Sequence, residues 1–206
     1  IPEADIVAGT KDRRKLPELV RSVIAARRHI VAIDQYGAHD EFELTRFEGA
    51  QDKTRAFVKI QDGCNQFCSY CIIPYARGRL RSKPIDALKD EVSRLAQSGR
   101  REIVLVGINL AFYGVEFGLR LADAVEVCCK TEGIERVRLG SLEPEILSDE
   151  DLRRLAALPE LCPQFHLSLQ SGSENTLKAM NRKYTAADYF TLTQKIRAAF
   201  PNASFT

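Results

Sequence analysis

No uninterrupted apolar stretch in the sequence is long enough to span a bilayer, which excludes a membrane helix recognisable by hydropathy. The first residues, Ile1-Pro2-Glu3-Ala4-Asp5, lack the basic and apolar regions of a signal peptide, so a cytoplasmic location is expected. An excess of one charge is also missing. Thirty Lys and Arg stand against 28 Asp and Glu, giving a net +2 and a pI near 8.2, far below the footprint of a dedicated nucleic-acid binder. Internal repeats and low-complexity segments are absent, which leaves an ordinary globular chain of 206 residues, able to bury a sizeable core.

Cysteine is what the chain does have. Three of its six cysteines fall within eight residues in Gly63-Cys64-Asn65-Gln66-Phe67-Cys68-Ser69-Tyr70-Cys71. Spacings of four and three put three thiolates on one short turn, with no fourth cysteine nearby. A structural zinc site would need that fourth ligand, whereas a 4Fe-4S cluster held by three cysteines keeps one iron open to a ligand that is not protein. The same crowding argues against three disulfides and for a reducing compartment. Cys128 and Cys129 sit beside Leu121, Ala124 and Val125 in a helical pattern and, with Cys162, are expected to pack as small hydrophobes. Arg77, Arg79, Arg81 and Lys83 alternate just after the loop. They are read either as contacts for a negative group approaching it or as a solvated charged strand.

The rest of the chain alternates strands and helices. Residues 4–9 form a short apolar run, and Leu16, Leu19, Val20, Val23 and Ile24 fall at helical spacing within a helix over 15–28. Residues 30–54 hold a short strand at 31–33 and then a polar linker with a boundary near Gln51; a lone His39 there is expected to be solvated. Strands are predicted at 56–61, 102–107, 136–139, 164–170 and 204–206, and helices at 86–97, 119–130, 149–158, 174–180 and 186–200. Repeated strand-helix units imply a parallel sheet with right-handed crossovers. In the fourth strand Phe165, Leu167 and Leu169 share one face, and Gln164, His166, Ser168 and Gln170 the other, so a polar surface lines either a ligand cavity or a wet edge.

With an aromatic before the third cysteine, the loop resembles the cluster loop of the radical S-adenosylmethionine enzymes. The flanks 56–63 (AFVKIQDG) and 72–78 (IIPYARG) narrow the likeness, as do Ser141-Leu142-Glu143-Pro144, residues 166–172 (HLSLQSG) and Met180-Asn181-Arg182. In order, these motifs resemble the methylthiotransferases over nearly the whole chain, closest to the branch acting on N6-threonylcarbamoyladenosine in tRNA. Gly140 departs from that pattern, where a serine is common, and so does Ser173, where the tRNA-acting branch commonly has cysteine.

The resemblance implies an α/β fold: a partial (β/α)6 barrel over 51–206, incomplete at its C-terminal end, preceded over 1–50 by the strand-helix remnant of an N-terminal domain. It implies a 4Fe-4S cluster on Cys64, Cys68 and Cys71, with S-adenosylmethionine chelating the open iron. A second 4Fe-4S cluster is expected on ligands that would precede Ile1, and an RNA-binding domain after Thr206. Expected cofactor contacts are Tyr70, Gly107, Asn109, Ser141, Glu143, Ser168, Gln170 and Arg182, and expected tRNA contacts are Arg77, Arg79, Arg81 and Lys83. A flavodoxin or ferredoxin would supply electrons. The product would be a methylthio group on C2 of a modified adenosine beside a tRNA anticodon. Isopentenyladenosine tRNA or a ribosomal-protein aspartate is the alternative substrate. From another class, a zinc-stabilised binding module would use the three cysteines with His39 or His166.

Overall fold

The computed structural model describes residues 3–37, 40–44, 54–145 and 147–206. His39 and the boundary expected near Gln51 lie outside the described residues. The first unit is β1 (Ile6–Ala8), α1 (Leu16–Ala26) and β2 (Ile30–Ala32), with β1 and β2 paired in parallel. Pro17 opens α1 in the first turn, where its missing N–H costs nothing, and Arg27 ends it at a positive φ. Among its residues none is buried; Leu19 and Val23 are half-buried and Leu16, Val20 and Ile24 exposed, so the described chain covers only part of the apolar stripe that makes the helix legible.

The larger unit follows as β3 (Arg55–Lys59), β4 (Gln61–Asp62), α2 (Ile73–Ala76), β5 (Arg81–Ser82), α3 (Ile85–Gln97), β6 (Glu102–Val106) and α4 (Leu121–Cys129). Then come β7 (Arg136–Leu139), β8 (Ser141–Leu142), α5 (Asp149–Ala156), β9 (Gln164–Leu167), α6 (Glu174–Ala179), α7 (Ala186–Ala199) and β10 (Ser204–Phe205). Parallel pairing runs β3-β6-β7, then β8-β9-β10, and β7 and β8 are one strand broken at Gly140. Five parallel strands in sequential order, each joined to the next through a helix, make the partial barrel that the alternation predicts. The helices start where local chemistry places them: Ser148 and Thr185 each cap the backbone three residues on, and Asp151 and Asp188 close a reciprocal box.

One face of the sheet meets the helices. Ala56, Val58, Ile103, Leu105, Val137, Leu139, Leu142, Phe165 and Leu167 pack there with Leu88, Val92, Val125, Leu155 and Ile196. Cys128 and Cys129 join this core as expected, and burial pushes the Cys129 thiol up to about 12. The opposite face carries Phe57, which is exposed, and Glu102, whose carboxylate takes Arg136 at 3.0 Å and Arg138 at 2.9 Å. At Gly140 the alternation reverses: Val137, Leu139 and Leu142 all face the core, and Ser141 turns outward opposite His166. A Cβ on Gly140 would stand 3.1 Å from the Leu105 carbonyl oxygen, so the strand crosses its neighbour closely at that point. The fourth strand is shorter than predicted, ending at Leu167, and Gln170 has a φ of 61°.

Candidate functional site

The cysteine loop leaves the sheet at β4, and Gln61 governs how. Its fully buried side chain donates from Nε2 to the carbonyls of Asp62 (2.9 Å) and Gly63 (2.7 Å), while Oε1 accepts the backbone N–H of Asn109 (2.7 Å). One amide therefore joins the root of the loop to the loop after β6. Gly63 is left-handed, and a Cβ there would collide with the Arg79 carbonyl oxygen, so only glycine lets the two arms of the loop come this close. Gly107 serves the same junction: a Cβ would lie 3.0 Å from Gln61. Its bareness accommodates a protein neighbour, Gln61.

Asn109 is 3% exposed. Its Nδ2 lies 4.0 Å from Cys64 Sγ, and its buried Oδ1 has no hydrogen-bond partner among the described residues. Buried polar atoms are rarely left unpaired, and an acceptor in this position fits an incoming ammonium or amide donor. Cys64 Sγ also receives the N–H of Gln66 at 3.5 Å. Burial pushes the Cys64 thiol up, and these two donors work against it.

On the far side the loop rests on the end of α6. Ser69 donates its N–H to Met180 O (3.1 Å) and its hydroxyl to Ala179 O (2.9 Å), and Asn181 Nδ2 donates to Phe67 O (2.9 Å). Arg182 is held on all three of its nitrogens: Nη1 donates to Cys68 Sγ (3.1 Å), Nη2 to Glu143 Oε2 (2.5 Å) and Nε to Tyr184 OH (3.3 Å). Burial raises the Glu143 carboxyl, and the Arg182 charge pulls it back down. At the rim, exposed Tyr70 donates its hydroxyl to Gln170 Oε1 at 3.0 Å. Ser141 is exposed, and Ser168 donates its N–H to Leu142 O at 3.0 Å while its carbonyl accepts from Tyr184 OH at 2.5 Å. The structure thus gathers Asn109, Glu143, Gln170 and Arg182, from four separate stretches of chain, around the cysteine loop and its own Tyr70.

Most of the basic stripe is engaged within the fold. Arg77 grips Asp62 through Nε (2.9 Å) and Nη2 (3.1 Å). Arg81, 6% exposed, reaches Asp62 at 3.4 Å, donates to the Arg77 and Arg79 carbonyls, and lies 4.2 Å from the Tyr36 ring centroid. Lys83 is buried against Glu91 and the Phe42 ring. Only Arg79 of the four is exposed. Unpaired charge is costly inside, and Arg77, Arg81 and Lys83, three of the four expected phosphate contacts, are each paired with an internal carboxylate. Burial opposes the Asp62 charge, yet hydrogen bonds from Arg77 and Lys59 hold its carboxyl at about 2.

All three loop cysteines are free thiols of intermediate exposure. Among the described residues no three His, Cys, Asp or Glu side chains converge closely enough to hold a metal ion. The donor set nevertheless fits an iron-sulfur cluster in its chemistry: three unpaired thiols, N–H donors aimed at two of the sulfurs, and an orphaned amide acceptor beside the first. His166, the candidate fourth zinc ligand, is exposed on β9 with Nδ1 3.2 Å from Thr206 Oγ1.

A family model described as the radical SAM superfamily matches residues 58–206, and the chain belongs to that superfamily. A tRNA-2-methylthio-N(6)-dimethylallyladenosine synthase of Clostridium novyi is 39% identical over the whole chain. A threonylcarbamoyladenosine tRNA methylthiotransferase of Chlamydia pneumoniae is 43% identical over 81% of it. The chain covers 45% and 38% of those two proteins, so it spans less than half the length of the relatives it matches. Among solved structures, the radical S-adenosylmethionine methyltransferase TsrM of Kitasatospora setae superposes with a TM-score of 0.59 at 16% identity, over 75% of this chain and 30% of that one. The cobalamin-dependent radical enzyme OxsB gives 0.57 at 14%, over 72% and 22%. These likenesses establish the partial barrel. Among the described residues no helix is long and apolar enough to cross a membrane.

Proposed function

We propose that this chain is the radical S-adenosylmethionine part of a tRNA methylthiotransferase, with Cys64, Cys68 and Cys71 holding a 4Fe-4S cluster. The observation that carries the proposal is the loop's double anchorage beside the unpartnered Asn109 amide oxygen. Bound there, the cluster and S-adenosylmethionine would supply a 5′-deoxyadenosyl radical by one-electron cleavage of the sulfonium. The chain's own residues would do the positioning. Asn109 Oδ1 would accept from the methionyl amino group, Tyr70 and Gln170 would shield the rim, and Ser141 and Ser168 would meet the ribose.

The finer reading is C2 of N6-threonylcarbamoyladenosine in tRNA, supported by the 43% relative and by a second of the same name from Thermotoga maritima at 36%. A second reading, N6-dimethylallyladenosine, is supported by relatives of that name from Clostridium novyi and Pelotomaculum thermopropionicum, 39% and 38% identical over the whole chain. Anaerobic reconstitution with iron and sulfide tests the site: about four irons per chain, lost in Cys68→Ala, are expected, and zinc uptake without iron sinks the proposal. Offering the two tRNAs, each lacking only its methylthio group, separates the substrates by which one gains mass.

A further inference from the structure

We propose that Arg182 is a positioning residue for the cluster, holding the Cys68 sulfur and raising the reduction potential of the centre, rather than a clamp for a ligand carboxylate. The inference rests on the cluster reading above, and it starts from how the arginine is aimed. Helix α6 ends at Ala179, Asn181 turns the chain with a φ of 57°, and the Arg182 N–H closes onto Leu177 O at 2.9 Å. That turn sends the side chain back under the cysteine loop, where it is 5% exposed.

Two partners then fix the plane of the guanidinium. Glu143 takes Nη2 and Tyr184 takes Nε, with the guanidinium carbon 5.2 Å from the Tyr184 ring centroid. With two edges occupied, the third points at Cys68 Sγ at 3.1 Å. An arginine free to meet an incoming carboxylate would present its fork to the cavity; this one gives a donor from each nitrogen to the protein. Reduction adds negative charge to an iron-sulfur centre, and charge-assisted N–H donors on its sulfurs favour the more negative state. Glu143 sits on the opposite edge, so it orients the arginine and moderates its charge.

The test uses the chain reconstituted with iron and sulfide, by potentiometric titration followed by electron paramagnetic resonance, with iron content and S-adenosylmethionine affinity by calorimetry. The double variant Arg182→Met with Glu143→Gln avoids leaving a buried carboxylate unpaired. It is expected to keep its iron and show a midpoint shifted to more negative potential. Arg182→Lys, which keeps the charge, should shift less, and Tyr184→Phe, which frees one edge of the guanidinium and leaves Glu143 to orient it, should shift least. If the double variant loses iron, the lysine variant decides by its midpoint. An unmoved midpoint at full iron content overturns the inference, as does loss of iron in Arg182→Lys, which would make the residue a scaffold. So does a tenfold loss of S-adenosylmethionine affinity with the midpoint unchanged, which returns Arg182 to carboxylate binding. Failure of the wild-type chain to take up iron removes the proposed function itself and this inference with it.

Discussion

On its way out of the sheet the cysteine loop is fixed by groups that water hardly reaches: Gln61, Asp62 and Arg81 are 0, 5 and 6% exposed. On its far side it is fixed by Ser69 and Asn181, both exposed: Ser69 donates to the Ala179 carbonyl at the end of α6, and Asn181 donates back to the Phe67 carbonyl of the loop. The first anchor has more bonds, and each of them weighs more. Removing one partner of a buried pair leaves the other without solvent, whereas an exposed amide exchanges its partner for water at little cost. The first anchor therefore sets where Cys64 stands, and the second can loosen without unfolding the barrel.

The sharpest way to break this contrast is Asp62→Ala, which strands Lys59, Arg77 and Arg81 around an empty position. A loss of about 3 to 5 kcal/mol in denaturant unfolding is expected. The same carboxylate predicts an acid response. Its pKa is depressed to about 2, so its stabilisation is complete above the ordinary carboxylate value of 3.8 and is lost as pH falls toward 2. Unfolding of the cluster-free chain should steepen in that window, and Asp62→Asn should remove the steepening. Asn109→Ala comes next: with iron content intact, S-adenosylmethionine affinity by calorimetry should fall roughly tenfold to a hundredfold, since a buried hydrogen bond to a charged group is worth ~1.5 to 3 kcal/mol. Asn181→Gly keeps the turn and deletes the exposed amide, and should cost about 1 kcal/mol or less with iron retained. Last, Arg79→Ala should alter stability by less than about 0.5 kcal/mol and lower the salt slope of tRNA binding by about one unit at most. A comparably small effect from Asp62→Ala would erase the distinction between the two anchors.

Much of this was legible in the sequence. Helical spacing at Leu16, Leu19, Val20, Val23 and Ile24 announces α1, and the apolar run Ile103-Val104-Leu105 announces a strand inside the sheet. The cysteine loop is legible because its spacing is local. The internal partners of Arg77 to Lys83 were not legible, because alternation shows only that side chains point two ways; it cannot reveal Asp62, Glu91, Tyr36 and Phe42 waiting to receive them. Gln61 gave no signal, since a glutamine near a strand end reads as solvated until the Asn109 loop, 48 residues on, supplies its partner. Its neighbour Gly63, placed just before the first cysteine, was the available hint of a tight junction.

The reversal at Gly140 has a consequence for how the barrel wall is written. A strand is a two-letter code, inside and outside in turn, and everything after a slip is read in the opposite sense. Had the code continued unbroken from Val137 and Leu139, Ser141 and Glu143 would have been spelled into the oily layer and Leu142 into the site. The residue without a side chain inserts the change of phase, so Leu142 stays with the helices and Glu143 comes round to meet Arg182. One silent position thus decides which way the three residues after it face, and with them the carboxylate that aims the arginine.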